Sequence, residues 1–142
     1  MENINIFEEK YSFAVTSEIV EYLPHLFYIE DHEDQSILKN RTLHILKKVL
    51  DLDILEVIEW TAKPELENKN LTTDEIIKHI DEIWFEGAEF PDFYAMVEFG
   101  STKWYKSKLN ELGLTHDITD WDLFVRNKIG DLEKWIKENR PK

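Results

Sequence analysis

The sequence contains no cysteine, and its 142 residues include only four glycines and four prolines. Without cysteine the chain has no disulfide, no thiolate nucleophile and no cysteine-ligated metal. Glycine and proline together make up less than half of their usual share of roughly 12%, so turn-forming residues are scarce. The composition therefore favours a helix-rich fold over a β-sandwich or barrel. The glycine-rich phosphate-binding motifs of common nucleotide sites are also missing.

Long hydrophobic runs and a cationic leader are absent as well. The longest uncharged run, from Tyr22 to Ile29, is much shorter than the roughly 20 apolar residues that span a bilayer. Three glutamates precede the first basic residue, Lys10, whereas a secretory leader begins with positive charge. We therefore expect a cytoplasmic protein that does not bind membranes.

Positive charge is scarce, because 17 lysines and arginines oppose 30 aspartates and glutamates for a formal net charge of −13. This surplus repels phosphate backbones and anionic membranes and attracts cationic proteins. We therefore expect a basic protein as the partner and no nucleic acid. The 42% apolar content is sufficient for a packed core and argues against disorder.

The clearest helix signal lies in the middle of the chain. Thr72 and Glu75 have the spacing of a capping box, and Leu71 and Ile76 occupy the two positions of a hydrophobic staple. Isoleucines then recur on one helical face, and Gly87 supplies a stop. These signals predict a helix from Leu71 to Gly87.

Apolar periodicity predicts three further helices, over residues 37–50, 102–112 and 120–139. Ser101 is the expected cap of the second, and Gly113 with Leu114 has the form of a Schellman ending. Gly130 lies inside the third, where it costs about 1 kcal/mol relative to alanine. Residues 4–23 also favour helix, with a break near 16–18 and an end at the following proline.

Two short segments, 94–99 and 54–60, have the composition of strands. The loop over 63–70 between predicted elements is the best candidate for a mobile segment. No repeat, low-complexity tract or long linker divides the chain. The predicted fold is α+β: a predominantly helical single domain, residues 1–142, with a small two- or three-stranded sheet.

The histidines form no catalytic or metal-binding motif. His25 and His32 flank an acidic turn, and His79 shares a helix face with Glu75 and Glu82. Both patterns are more often solvated charges than sites, so we predict no catalytic residue, metal or cofactor. The alternative is a small hydrolase or metal-dependent enzyme that uses one of these sets.

The net charge is unevenly distributed along the chain. Residues 1–34 carry −8, residues 35–49 carry +4, residues 50–98 carry −11 and residues 99–142 carry +2. Aromatic residues are interleaved with the central acids, as in protein interfaces. The predicted partner-binding residues are Glu56, Glu59, Glu82, Glu86, Glu89, Asp92, Glu98, Phe90 and Phe93.

The acidic surplus is also compatible with two different roles. The acids can confer solubility and form ion pairs with the chain's own basic C-terminal part. They can also bind the basic 35–49 helix of a second copy, which would make the protein a self-association module.

The order of features resembles a group of small bacterial proteins. The similarity lies in the run 42–50, the apolar segment ending at Trp60, the 72–84 helix and the 94–99 strand, and it covers about residues 38–112. Some of these proteins are grouped with immunity proteins of contact-dependent growth inhibition and related toxin systems. The resemblance implies a non-enzymatic cytoplasmic protein that binds and blocks a toxin domain, often a basic nuclease. This chain departs from the group at residues 51–53, which contain no glycine.

Overall fold

The computed structural model describes residues 6–7, 15, 21–22, 35–88, 90–93, 95–114 and 120–141. These residues form strand β1 (Glu21–Tyr22), helix α1 (Gln35–Asp51), strand β2 (Leu55–Glu59), a 3₁₀ helix (Pro64–Leu66), helices α2 (Thr73–Ile83) and α3 (Phe90–Phe93), strand β3 (Glu98–Ser101), and helices α4 (Lys103–Glu111), α5 (Trp121–Lys128) and α6 (Leu132–Asn139). The predicted helical α+β fold is confirmed.

The sheet is antiparallel, and its strand order is β1-β3-β2. Strand β3 is central, and β2 is an outer strand. Leu55 lies opposite Ser101 and Val57 lies opposite Phe99. Leu55, Phe99 and Ser101 are buried and Val57 is half-buried, so this side of the two strands faces the core.

Helix α1 ends in a Schellman motif that leads directly into β2. The amide of Ile54 donates to the Val49 carbonyl (3.3 Å), and the amide of Asp53 donates to the Leu50 carbonyl (3.0 Å). Asp53 has a φ of 61°, the left-handed conformation that glycine adopts most easily. An aspartate therefore performs here the role that a glycine has in many helix endings.

The carbonyl of Asp53 connects this turn to the start of α4. It accepts hydrogen bonds from the Thr102 hydroxyl (2.7 Å) and from the Trp104 indole. Thr102 is the N-cap residue of α4, but its side chain makes no capping bond. The predicted cap, Ser101, is wrong because Ser101 is the last residue of β3.

The capping box of α2 is confirmed. The amide of Glu75 donates to the Thr72 hydroxyl (3.2 Å), and the amide of Thr72 donates to the Glu75 carboxylate (2.9 Å). These bonds lower the pKa of Glu75. The helix ends at Ile83, four residues before Gly87, which lies in the following turn.

The core lies between α1, α2, the inner side of the sheet, α4 and α6. Its most enclosed side chains are Tyr105, Phe99, Ile6, Ile45, Leu46, Ile80, Leu109, Ile136, Val49 and Val97. The Tyr105 hydroxyl donates to the Val15 carbonyl, and burial raises the pKa of Tyr105 well above its usual value. The predicted Schellman ending of α4 is also present, since the amides of Gly113 and Leu114 donate to the carbonyls of Asn110 and Leu109.

The prediction of one helix over 120–139 is wrong, because the chain forms α5 and α6 with a break at Gly130. Gly130 has a φ of 88°, and its amide donates to the Val125 carbonyl (2.7 Å). The Asp131 side chain then accepts the Lys134 amide (3.1 Å) as the cap of α6. A glycine followed by a capping aspartate therefore ends one helix and starts the next.

The predicted strand at 94–99 begins later than expected. The amides of Ala95 and Met96 donate to the carbonyls of Asp92 and Phe93, so the chain is still turning at Met96. The predicted N-terminal helix does not extend to its expected end, because Glu21–Tyr22 is a strand paired with β3. The predicted break at 16–18 and end at Pro24 lie outside the described residues.

Replacing Gly130 with alanine tests the break between α5 and α6. A Cβ at this position would meet no atom within 4 Å, so the cost is that of a positive φ, roughly 1 kcal/mol. We expect Gly130→Ala to lower the free energy of unfolding in urea. A gain in stability, as expected for a glycine inside a continuous helix, would contradict the break.

Position 53 provides a second test of backbone conformation. Asp53→Gly and Asp53→Ala both remove the carboxylate and both keep the carbonyl that Thr102 and Trp104 contact. Since only glycine adopts a φ of 61° without strain, the glycine variant should be more stable than the alanine variant by about 1 kcal/mol. Equal unfolding midpoints for the two variants in urea would contradict this assignment.

Candidate functional site

An irregularity in β2 places three glutamates on the outer side of the sheet. The register shifts between Val57 and Glu59, so that Glu56 lies opposite Gly100 while Glu59 lies opposite Glu98. Gly100 and Glu98 are two residues apart and therefore share one side of β3. The extra residue of the bulge allows Glu56 and Glu59, three positions apart, to face the same side. We call Glu56, Glu59 and Glu98 the acidic sheet face.

The outer edge of β2 carries backbone groups that no described residue pairs. The Thr102 amide donates to the Ile54 carbonyl (3.2 Å), which places the peptide group of Ile54 on the β3 side. Alternate residues of an antiparallel strand direct their N–H and C=O groups to opposite sides. The N–H and C=O groups of Leu55 and Val57 therefore face the outer edge.

A groove of about 470 Å³ runs along this edge. The groove is lined by residues whose side chains lie on both sides of the sheet. It therefore follows the edge of the strand rather than either face. Opposite β2 lies the segment from Leu66 to Leu71, and the start of α2 contributes Thr73 and Ile76. We call this space the edge groove.

The outer wall of the edge groove is held against β2 by specific contacts. Leu66 is buried in the core. The Glu67 carboxylate accepts the Trp60 amide (2.6 Å), which satisfies the backbone of β2 just beyond its last residue. Residues 63–70, predicted to be a mobile loop, therefore contain a 3₁₀ helix and two anchoring contacts.

Lys63 attaches the same segment to α2. Its ammonium donates to the Glu82 carboxylate (2.7 Å) and lies 3.0 Å from Nδ1 of His79. This hydrogen bond and charge lower the pKa of Glu82, and the His79 ring acts in the same direction. His79 also packs edge-on against Trp60 (6.1 Å between ring centroids). The cluster joins Trp60, the loop and α2.

The surroundings of His79 have the character of an ion-pair cluster rather than a metal site. A lysine ammonium occupies the position beside Nδ1 and Glu82 where a metal ion would have to bind. Among the described residues, no group of three or more histidine, aspartate and glutamate side chains could hold a metal ion. His25 and His32, the other predicted set, lie outside the described residues.

Two of the four acids of α2 are paired with lysines of α1. Lys39 pairs with Asp81 (2.8 Å) and donates to the Trp84 carbonyl (3.0 Å). Lys47 pairs with Asp74 (2.8 Å), and this hydrogen bond raises the pKa of Lys47. The cations of α1 thus neutralise part of the central acidic block within one chain. The sequence had suggested the C-terminal part as the source of such pairs.

The predicted surface residues fall into different environments. Glu56 and Glu59 are exposed on the acidic sheet face, Glu98 is half-buried there, and the Glu59 carboxylate accepts a bond from the Thr61 hydroxyl (3.2 Å). Glu86 is exposed in the turn after α2 and Asp92 is half-buried in α3.

Phe93 is a correction to the predicted surface. It is only 3% exposed, and its ring packs edge-on against Trp84 (5.1 Å) in the core. Glu89 and the side chain of Phe90 lie outside the described part of the chain. Ile58, which is 45% exposed, was not among the predicted surface residues. An apolar residue two positions after a strand glutamate was the available signal, because strand alternation places both side chains on the same side.

The pKa of the Asp53 carboxylate, which lines the edge groove, depends on its surroundings. Partial burial raises the pKa of Asp53, while the Arg140 charge and the Trp104 indole act in the opposite direction. Arg140 also donates to the Asp51 carbonyl (2.7 Å). The C-terminal end of α6 therefore meets the turn where the edge groove begins.

The Lys63–Glu82 pair should give a measurable acid dependence. Because the pKa of Glu82 is lowered from its ordinary value of 4.5, the pair stabilises the fold above that pH and is lost as the pH falls below it. The loss of unfolding free energy in Glu82→Gln, measured in urea across pH, should therefore shrink toward zero in acid. Glu86→Gln is the control and should match the parent throughout. A Glu82→Gln deficit that persists at low pH would contradict the pairing.

Comparisons with known proteins add no assignment. The chain gives no match to a family model, to a curated protein or to a solved structure. Within the described residues, no helix has the length and apolar character needed to cross a membrane.

Proposed function

We propose that this protein is a non-enzymatic binding module that recognises a basic protein through the acidic sheet face and the edge groove. The observation that carries this proposal is the edge groove itself. It combines outward-facing peptide groups, an exposed isoleucine and the carboxylates of Asp53, Glu56 and Glu67 in one concave surface. Lys69 is the one cation among the described residues that line it.

The distribution of ion pairs supports this location. Asp74, Asp81 and Glu82 on α2 already pair with lysines of the same chain. Glu56, by contrast, is exposed and forms no ion pair with a described residue. A carboxylate of this kind attracts a cationic partner without first giving up an internal contact. The β2 side of the molecule is therefore better suited to a basic partner than α2.

The partner class follows from the resemblance noted in the sequence. Immunity proteins act by stoichiometric binding, and carboxylates can occupy the cationic surface that a nuclease toxin uses for phosphate. We place this protein in the cytoplasm as an inhibitor of one basic toxin domain. The function requires a surface and no catalytic residue or cofactor.

Charge reversal at one residue tests the proposal. Partners are captured from the source cell at about 50 mM salt, released at about 500 mM, identified, purified and titrated by calorimetry. We expect a partner of net positive charge bound one to one. Glu56→Lys should weaken its binding by about tenfold or more.

The matched control is Glu111→Lys, which makes the same charge change at the far end of α4 from the Asp53 turn. It should leave the affinity within about twofold of the parent, because rim charges act locally in salt. Equal loss in both variants would mean that only net charge matters and would contradict the proposed site. Unchanged binding in Glu56→Lys, or capture of no basic protein, would contradict the proposed function.

A further inference from the structure

The edge groove has the form of a site for an extended chain. It is bounded on one side by a strand edge and on the other by a segment running from Leu66 to Leu71. Consecutive residues Leu55, Glu56, Val57 and Ile58 all line it. Four residues of strand span roughly 13 Å at about 3.3 Å each, which is long enough to pair with a short peptide strand.

We infer that the partner presents an extended segment rich in lysine or arginine, which adds to the outer edge of β2 as a fourth strand. This inference rests on the proposed function and names its mode of recognition. In strand addition, main-chain hydrogen bonds supply affinity, and alternate side chains supply specificity. The peptide groups of Leu55 and Val57 are the donors and acceptors for the added strand.

The available edge has defined limits. At its far end the Trp60 amide is already bonded to the Glu67 carboxylate, so an added strand cannot use that donor. At its near end the Asp53 carbonyl is occupied by Thr102 and Trp104. Only the short stretch between these two points can accept new main-chain bonds. The partner segment is therefore expected to be short.

Charge selects a basic segment over a second copy of this chain. Antiparallel pairing of two β2 strands would bring Glu56 and Glu59 of one copy beside the same residues of the other, and like charges on neighbouring strands are destabilising. A strand with lysine or arginine at alternate positions instead places its cations beside Glu56. Its intervening apolar side chains fall on the other side of the sheet, beside the half-buried Val57.

The test uses a defined probe, the blocked hexapeptide Lys-Val-Lys-Val-Lys-Val. Hydrogen exchange of the isotope-labelled protein is followed by NMR with and without a saturating amount of peptide. The amides of Leu55 and Val57 should exchange at least about tenfold more slowly in the complex, because they gain hydrogen-bond acceptors. The Glu75 amide, bonded within the α2 capping box, is the internal reference and should not change.

Two further peptides separate charge from strand pairing. A fully N-methylated peptide of the same sequence keeps the charges and loses every main-chain donor, so it should bind at least about tenfold more weakly. A peptide with glutamate in place of lysine keeps the donors and should not bind. If the N-methylated peptide binds as well as the parent, strand addition is overturned, while attraction to basic partners survives.

A backbone variant of the protein gives an independent reading. Val57→Pro removes the outward-facing amide and is tolerated where a strand edge faces solvent, whereas Val57→Thr keeps that amide with a similar shape. The proline variant should lose peptide affinity about tenfold relative to the threonine variant. Equal affinities would overturn strand addition. If the proline variant does not fold, the hydrogen-exchange and N-methylation results decide alone. Failure of the lysine peptide to bind also overturns strand addition.

Discussion

The hydrogen bonds of the Asp53 carbonyl determine the geometry of everything around the candidate site. This oxygen lies in the turn that ends α1, accepts bonds from Thr102 and Trp104 at the start of α4, and stands just before β2. It therefore fixes where β2 begins relative to β3. A slip of one residue would exchange the two sides of β2 and turn Glu56 toward the core. The acidic sheet face exists because this turn sets the register.

Ion pairs and apolar packing have separate roles between α1 and α2. Exposed ion pairs such as Lys47–Asp74 contribute roughly 0–1 kcal/mol each. Full burial of a valine- or isoleucine-sized side chain contributes about 1.5–3 kcal/mol, and Ile45, Val49 and Ile80 are all completely enclosed. Packing therefore holds the helices together. The ion pairs instead determine which carboxylates of the described residues are neutralised by a lysine of the same chain and which are not.

Local signals predicted the elements whose ends depend on nearby residues. The capping box at Thr72 and the Schellman ending at Gly113 involve partners within five residues, so the sequence pattern was sufficient. Gly130 misled because a glycine in an apolar periodic stretch is compatible with either a helix interior or a helix end, and the capping role of Asp131 decides between them. Thr102 was misassigned for a different reason. Its hydroxyl bonds to a residue 49 positions away, which no local pattern contains.

The candidate surface was predicted in composition but not in arrangement. Glu56 and Glu59 are three residues apart, and strict strand alternation would place them on opposite sides. The bulge brings them to one side, a result of pairing with Glu98 and Phe99 far along the chain. The same glutamates counter a risk that every outer strand carries. An unpaired strand edge is a template for pairing with another copy of the chain, and charged side chains oppose that pairing. Glu56 and Glu59 make self-pairing unfavourable and leave pairing with an oppositely charged strand favourable. In the proposed function, the feature that limits self-association is also the one that selects a basic partner, so the acidity of β2 does not have to be assigned to either role alone.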